Sequence, residues 1–329
     1  MDSQGGAELV LTLENVGPLK EASIELGKGL TVLYGLNGTG KTTVAKALRL
    51  LARLNLGAAT AEDVIRLVKR QLKHMNRFET EGRAGRIVYR TADSELEVKC
   101  VPDVRGAKLR IGQWERYAVA NELLPAVDKP RVVLLWVAHN SVEIHGVGVQ
   151  KEHMSMEDLL IPTEFRGIAT YVYDDVMDLY EEVIEEANKI LETIDYAVNY
   201  RDGVYFRNGI HVYTTDEVSS GVKRLTLILL AKAVAKKFAE YTELRPVLFI
   251  ENFEDSLDVT LMRAVIDMLR STKGIVSVAE THSGFPLRAA VMIRKNTNYY
   301  VFANGRATRE LKIELFKREI AEWADVNAL

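Results

Sequence analysis

The 329-residue chain is short of several things, and each shortage removes a class of protein. Cys100 is its only cysteine, so no internal disulfide can form. A lone thiol without a secretory-type leader is expected of a protein kept in the reducing cytoplasm. The longest apolar runs, such as Val132–Ala138 and Leu225–Ala231, stop near seven residues. A membrane-crossing helix needs about 20. Neither charge sign dominates: 43 Lys and Arg against 46 Asp and Glu leave −3, so global charge does not announce a nucleic-acid binder. Glutamine is scarce, with only Gln71, Gln113 and Gln150 beyond the first few residues. No Asp-x-Asp pair occurs, which argues against an appended nuclease of the Toprim kind. What remains is 47% hydrophobic and 27% charged residues, too apolar for bulk disorder. A chain of this size buries roughly three quarters of its unfolded surface.

Short β-like runs open the chain, at Glu8–Leu13, Ala22–Leu26 and Leu30–Tyr34. The last is continuously apolar and enters a glycine-rich loop, as a buried strand does. Helical spacing of Val44, Ala47, Leu48 and Leu51 predicts a helix from about Lys41, and a second is expected over about Glu62–Phe78. Residues 86–149 read as mainly β. A long helix is predicted over Tyr173–Ala197 from Val176, Leu179, Val183, Ala187, Ile190 and Ile194. A hairpin turning at Asn208-Gly209 follows, then a helix from about Ser219 to Tyr241. Strand Val247–Ile250, helix Thr260–Ser271 and strand Ile275–Ala279 come next, with further strands expected at Val291–Arg294 and Tyr299–Phe302 and a last helix from Leu311. The strand–helix rhythm predicts an α/β core.

The sharpest chemical signal is Gly35-Leu36-Asn37-Gly38-Thr39-Gly40-Lys41-Thr42, a GxxxxGK[ST] loop with a buried strand before it and a helix after it. Its glycines allow backbone amides to turn inward around phosphate oxygens at a helix N-terminus. Lys41 would neutralise β/γ-phosphate charge, and the Thr42 hydroxyl, followed by Thr43, would face Mg²⁺. Downstream, the apolar run Val247–Ile250 ends in the carboxylate Glu251, and strand Ile275–Ala279 runs into Glu280-Thr281-His282. A histidine at such a strand tip can reach a γ-phosphate. Ser219-Ser220-Gly221 opens a helix whose hydroxyls and bare amides form another anion-binding start.

In this order the pieces resemble the ABC-type ATPases, in the soluble branch that holds structural-maintenance-of-chromosomes (SMC), RecF and OLD-like proteins. Leu13–Ala22 with Leu30–Thr42 is similar to that branch's N-terminus. Val218-Ser219-Ser220-Gly221 resembles its signature motif, and Glu251–Asp258 aligns without gaps to the Walker B and D-loop block. The resemblance implies a P-loop ATPase head: an N-terminal mixed-sheet lobe (1–150) with the phosphate loop, a helical insert (151–200), and a second α/β lobe (201–329). It implies ATP and Mg²⁺ as ligands, a head-to-tail homodimer that sandwiches each ATP, and His282 as the switch histidine. Asn37, Gly38, Thr39, Gly40, Lys41, Thr42 and Thr43 would hold one face of the nucleotide. Ser219, Ser220 and Gly221 would reach it from the partner copy, with Asp258 linking the two sites, and Thr42 and Glu251 would hold the metal.

The pattern breaks at one position. The family's general base, a glutamate, aligns with Asn252, and an amide cannot take a proton from water; a lost base costs about 10²–10⁴-fold in rate. Slow hydrolysis, Glu254 as substitute base, and Glu251 as base are the three readings left open. The glutamine that joins the lobes in the family is placed at Gln150 ahead of Gln113. The basic stretch Glu62–Arg90, expected to be a helix, reads either as a solvated face or as a contact for DNA or RNA. The acidic stretch Asp174–Glu186 reads as a second solvated face, of a charge that attracts the first. His139, His145 and His153 fit no metal-ligand spacing. A partner effector protein is a further expectation; contact with a membrane is not.

Overall fold

The computed structural model describes residues 9–27, 29–69, 84–103, 105–148, 153–160, 176–200, 204–293 and 296–310. Within them the chain forms β1 (Leu9–Val16), β2 (Leu19–Leu26), β3 (Gly29–Tyr34), α1 (Lys41–Asn55) and α2 (Ala61–Val68). Then come β4 (Gly85–Arg90), β5 (Glu95–Pro102), β6 (Gly106–Ile111), β7 (Trp114–Val119), β8 (Val132–Val137), β9 (Ser141–His145), β10 (His153–Ser155) and α3 (Met156–Leu160). The remainder is α4 (Val176–Leu191), β11 (Ala197–Tyr200), β12 (Val204–Asn208), β13 (His211–Thr214), α5 (Ser220–Tyr241), β14 (Arg245–Ile250), α6 (Val259–Ser271), β15 (Val276–Thr281), α7 (Gly284–Ile293), β16 (Thr297–Ala303) and β17 (Arg306–Thr308).

One 14-stranded sheet runs in the order β10-β9-β8-β14-β15-β3-β16-β17-β2-β1-β4-β5-β6-β7. Its centre, β8-β14-β15-β3-β16, is parallel, while β1, β2 and β4–β7 form an antiparallel meander. The central strands are apolar on both faces, as strands covered on both sides must be. On β8, Val133, Leu135 and Val137 face one core, and Val132, Leu134 and Trp136 face the other. The first core is roofed by α5, which is apolar nearly all round and correspondingly buried. The second encloses α1 between the parallel centre and the meander, where the Tyr89 hydroxyl donates to the Ala47 carbonyl at 2.7 Å. Enclosing α1 fixes the loop that precedes it.

Three expected elements differ. The strand expected at Val291–Arg294 is instead the end of α7, whose Leu287 and Ala290 are buried while Met292 is 83% exposed. A short β-branched run does not distinguish a strand from a buried helix turn. The expected basic helix over 62–90 is helical only as far as Val68. It starts on a capping box in which Thr60 and Asp63 bond reciprocally, and Arg86 and Arg90 lie on strand β4. Residues 70–83 lie outside the described residues. The helix expected over 173–197 stops at Leu191, continues as a 3₁₀ turn over Glu192–Ile194, and is closed by Asp195 in the left-handed region at φ 63°. The last helix, from Leu311, lies outside the described residues.

Candidate functional site: a phosphate-loop cleft

The loop between β3 and α1 turns on glycines that no other residue would replace without strain. Gly40 has φ 110°, and a Cβ there would stand 2.7 Å from the Leu19 side chain. Lys41, only 2% exposed, folds back so that its Nζ donates to the Gly35 and Leu36 carbonyls at 2.6 and 3.0 Å. Burial lowers its pKa, and the charges of Glu280 and Glu254 oppose that shift. Thr39 donates its hydroxyl to the Leu36 carbonyl at 2.8 Å, tightening the loop.

The ends of β14 and β15 close the cleft. β15 lies between β14 and β3, with Glu280 in register with Leu33 and Thr281 with Tyr34. Glu280, which sequence reasoning did not select, is buried, and both its carboxylate oxygens lie close to the Thr42 hydroxyl, at 3.0 and 3.1 Å. Burial raises its pKa to about 7. Lys41 and the Thr42 hydrogen bond pull it down, and Glu251 and Glu254 push it further up. The signal available in the sequence was its place as the last residue but one of a buried strand. Glu251 is held by the Trp136 indole N–H, which donates to Oε2 at 3.0 Å. Its main-chain carbonyl accepts from Arg224 at 2.6 Å. Arg224, also unforeseen and 3% exposed, bonds the carbonyls of Ala138 and His139 as well, so one guanidinium ties together the ends of β8 and β14. Burial lowers its pKa to about 10, against the pull of Asp255, Glu251 and Glu254, and it stays charged.

Asn252 adopts φ 44°, a left-handed conformation that asparagine tolerates, and it lines the cleft beside Glu251. Glu254 accepts from the His282 backbone N–H at 2.7 Å. The His282 ring holds Nδ1 2.8 Å from the Gly35 carbonyl, where its role as donor or acceptor follows the tautomer. Lys41 Nζ stands 3.2 Å from the same Nδ1.

These groups share a cleft of about 900 Å³ lined by Asn37, Gly38, Gly40, Lys41, Thr42, Thr43, Glu251, Asn252, Glu280 and His282, extended by Lys46, Arg49, Arg53, Arg66 and Lys69. Ser219, Ser220, Gly221 and Asp258 do not line it. Ser219 caps α5 by accepting from the Val222 N–H at 3.4 Å, and Ser220 beside it is exposed. Gly221 is packed so closely that a Cβ would meet the Ser256 carbonyl oxygen at 2.7 Å. Asp258 caps α6 through the Leu261 N–H at 2.9 Å. Gln150 lies outside the described residues, and Gln113 is exposed in the turn between the edge strands β6 and β7.

The charged stretches have partners within the chain. Arg86 is bonded by Glu14 and Glu97, and Arg90 by Glu95. Among the described residues the acidic helix α4 faces α5, where Glu186 meets Lys232 and Lys236 and Glu182 meets Lys237. His145 and His153 both face Glu143, at 3.0 and 3.5 Å, while His139 faces Asp255. No cluster of three or more His, Cys, Asp or Glu among the described residues could by itself hold a metal. A hydroxyl, one or two carboxylates and nucleotide phosphates are nevertheless the hard oxygen set that Mg²⁺ takes, so Thr42 with Glu251 or Glu280 fits that ion. No helix among the described residues is long and apolar enough to cross a membrane.

Residues 11–98 match an AAA-domain family model, and residues 180–285 match a second, described as an AAA domain, putative AbiEii toxin, Type IV TA system. No curated protein sequence matches. Among solved structures, an SMC head bound to the C-winged-helix domain of ScpA superposes with TM-score 0.54 at 14% identity, covering 91% of this chain and 95% of that one. The SMC head of Thermotoga maritima gives TM-score 0.48 at 13% identity, covering 91% and 96%. RecF with ATP, from the RecFOR pathway, gives 0.47 at 12% identity, covering 94% and 99%. The first likeness shows that the chain has the fold of an SMC head, and the two AAA-domain models match one stretch that holds the phosphate loop and another that holds the ends of β14 and β15.

Proposed function

We propose that the chain binds Mg²⁺-ATP between two head-to-tail copies of itself and hydrolyses it slowly. The observation that carries this reading is the loop at Gly35–Thr42, with a buried lysine and a threonine bonded to the strand-end carboxylate Glu280, in a cleft large enough for a nucleotide that Glu251 also lines. Asn37 to Thr43 cradle the phosphates. His282 contacts the γ-phosphate. Ser219, Ser220 and Gly221 stand outside their own chain's cleft at the start of a 22-residue helix, a place from which they would serve a nucleotide on another copy, with Lys223 adding charge. Asp258 lies on the same surface. In this reading residues 1–150, 151–200 and 201–329 act as one composite ATPase domain.

Asn252 favours a second reading, an ATP-gated clamp that closes and hardly turns over, regulating a partner protein. The SMC head it superposes on was solved with such a partner, the ScpA winged-helix domain. Glu254 accepts the His282 amide on Oε1 and Glu251 accepts the Trp136 indole on Oε2. Contact with DNA or RNA would fall to Lys46, Arg66 and Lys69 at the cleft's open end, in a cytoplasmic setting. Light scattering with and without Mg²⁺-ATP, with phosphate release followed on the same samples, tests the reading. An ATP-dependent dimer abolished by Ser220→Arg is expected, and a chain that stays monomeric in Mg²⁺-ATP would overturn it.

A further inference from the structure

Three carboxylates end near the phosphate loop, and they are not equivalent. Glu280 sits on β15, the strand hydrogen-bonded directly to β3; Glu251 sits one strand further away on β14. Glu251 already has a donor for Oε2 in the Trp136 indole, and Trp136 belongs to the core beneath α1. Glu254 spends Oε1 on the His282 amide, and its Oε2 is buried with no hydrogen-bond partner among the described residues. Among the described residues, the Glu280 carboxylate faces Thr42 and Lys41, the latter at 3.9 Å.

The contact between Glu280 and Thr42 is chemically incomplete. The threonine hydroxyl has one proton, yet both carboxylate oxygens stand at 3.0 and 3.1 Å from it. One proton cannot satisfy both contacts well, so oxygen lone pairs converge on the same small region. Neighbouring ligands of an octahedral Mg²⁺, with metal–oxygen bonds of about 2.1 Å, are about 3.0 Å apart. The hydroxyl and the carboxylate therefore already stand at the spacing that two ligands of one such ion adopt.

We infer that Glu280, with Thr42, is the carboxylate that binds the nucleotide's divalent cation, in the place that the family resemblance gives to Glu251. Glu251 is a positioning residue, pinned by Trp136 and Arg224 to shape the end of β14. This assignment rests on the nucleotide-binding reading above and deepens it. In this chain Asn252 stands where the resembled family has a glutamate, and β15 supplies an acid of its own.

The test uses the full chain and Mn²⁺ as the probe. Mn²⁺ binding in the presence of a non-hydrolysable ATP analogue is titrated by electron paramagnetic resonance, and analogue binding without metal is measured in EDTA by fluorescence. Glu280→Gln should weaken Mn²⁺ binding on the order of tenfold or more and leave metal-free analogue binding in place, whereas Glu251→Gln should leave Mn²⁺ affinity near that of the unmutated chain. Glu280→Asp, which keeps the charge on a shorter arm, should fall between, and it carries the test if the glutamine variant does not fold. Loss of Mn²⁺ in Glu251→Gln with retention in Glu280→Gln, equal loss in both, or no loss in either would overturn the assignment. Failure of the unmutated chain to bind the analogue at all would instead sink the nucleotide-binding reading, and it would show before any variant is made.

Discussion

Arg224 shows how much a single buried cation can organise. It reaches from α5 to the carbonyls of Ala138, His139 and Glu251, so three acceptors at the ends of two strands depend on one side chain. Arg224→Met would keep most of the volume and leave those acceptors without a donor in a nearly closed site. Buried acceptors stripped of partners cost about 1–3 kcal/mol each, so chemical denaturation should show a loss of about 3 kcal/mol or more. A loss under about 1 kcal/mol would mean that water replaces the guanidinium. Gly40 is the complementary case, where a side chain must be absent. At φ 110° with Leu19 at 2.7 Å from any Cβ, Gly40→Ala should destabilise the fold by about 1–3 kcal/mol and weaken nucleotide binding, measured by denaturation and by fluorescence titration. The loop residues were legible because their chemistry needs a fixed spacing. Glu280 and Arg224 were not, since each acts on a position more than 25 residues away in sequence and no local pattern marks it.

Among the elements, the helix pair α4 and α5 is held by charge as well as by apolar contact. Glu186 is four-fifths buried, which alone would raise its pKa, yet Lys232 and Lys236 override that and hold it at about 2, below the usual 4.5. A carboxyl whose pKa is lower in the folded chain than in the unfolded one stabilises the fold above about pH 4.5. That contribution fades as pH falls from 4.5 towards 2. Thermal melts should therefore lose stability across that window, and Glu186→Gln should flatten the fall; an unchanged profile would show that the pair is not coupled to folding. The acidic stretch was visible in the sequence, but its partner was not, because α5 carries its lysines among a continuous apolar run. Periodicity gave the start of α1 and the body of α4, where the apolar positions repeat on one helical face. It failed at Val291–Ile293, where three apolar residues suit a strand or a helix turn equally and packing against β16 and β3 decides.

For the molecule as a whole, the sheet order matters more than any one motif. Interposing β15 between β14 and β3 brings Glu280 and His282 next to the phosphate loop, moves Glu251 one strand out, and leaves Asn252 on the cleft wall. Ser219, Ser220 and Asp258 lie elsewhere, at the capped starts of two helices, so closure of the site and chemistry in it are separable in this architecture. Asn252→Glu separates them experimentally. If the chain is an assembled ATPase lacking only its proton acceptor, a glutamate at 252 should raise phosphate release by about 10²–10⁴-fold, the usual worth of a general base. ATP-dependent dimerisation, which needs the signature serines rather than residue 252, should persist, and the dimer should become shorter-lived because hydrolysis now ends it. The added carboxylate also brings negative charge beside Glu251 and Glu280, so divalent-metal affinity measured in the same variant should rise rather than fall. Faster release with a shorter-lived dimer would place this chain among motors slowed by one substitution. Unchanged release with an intact dimer would mean that the cleft never aligns a water with the γ-phosphate, and that closure itself is what the nucleotide provides.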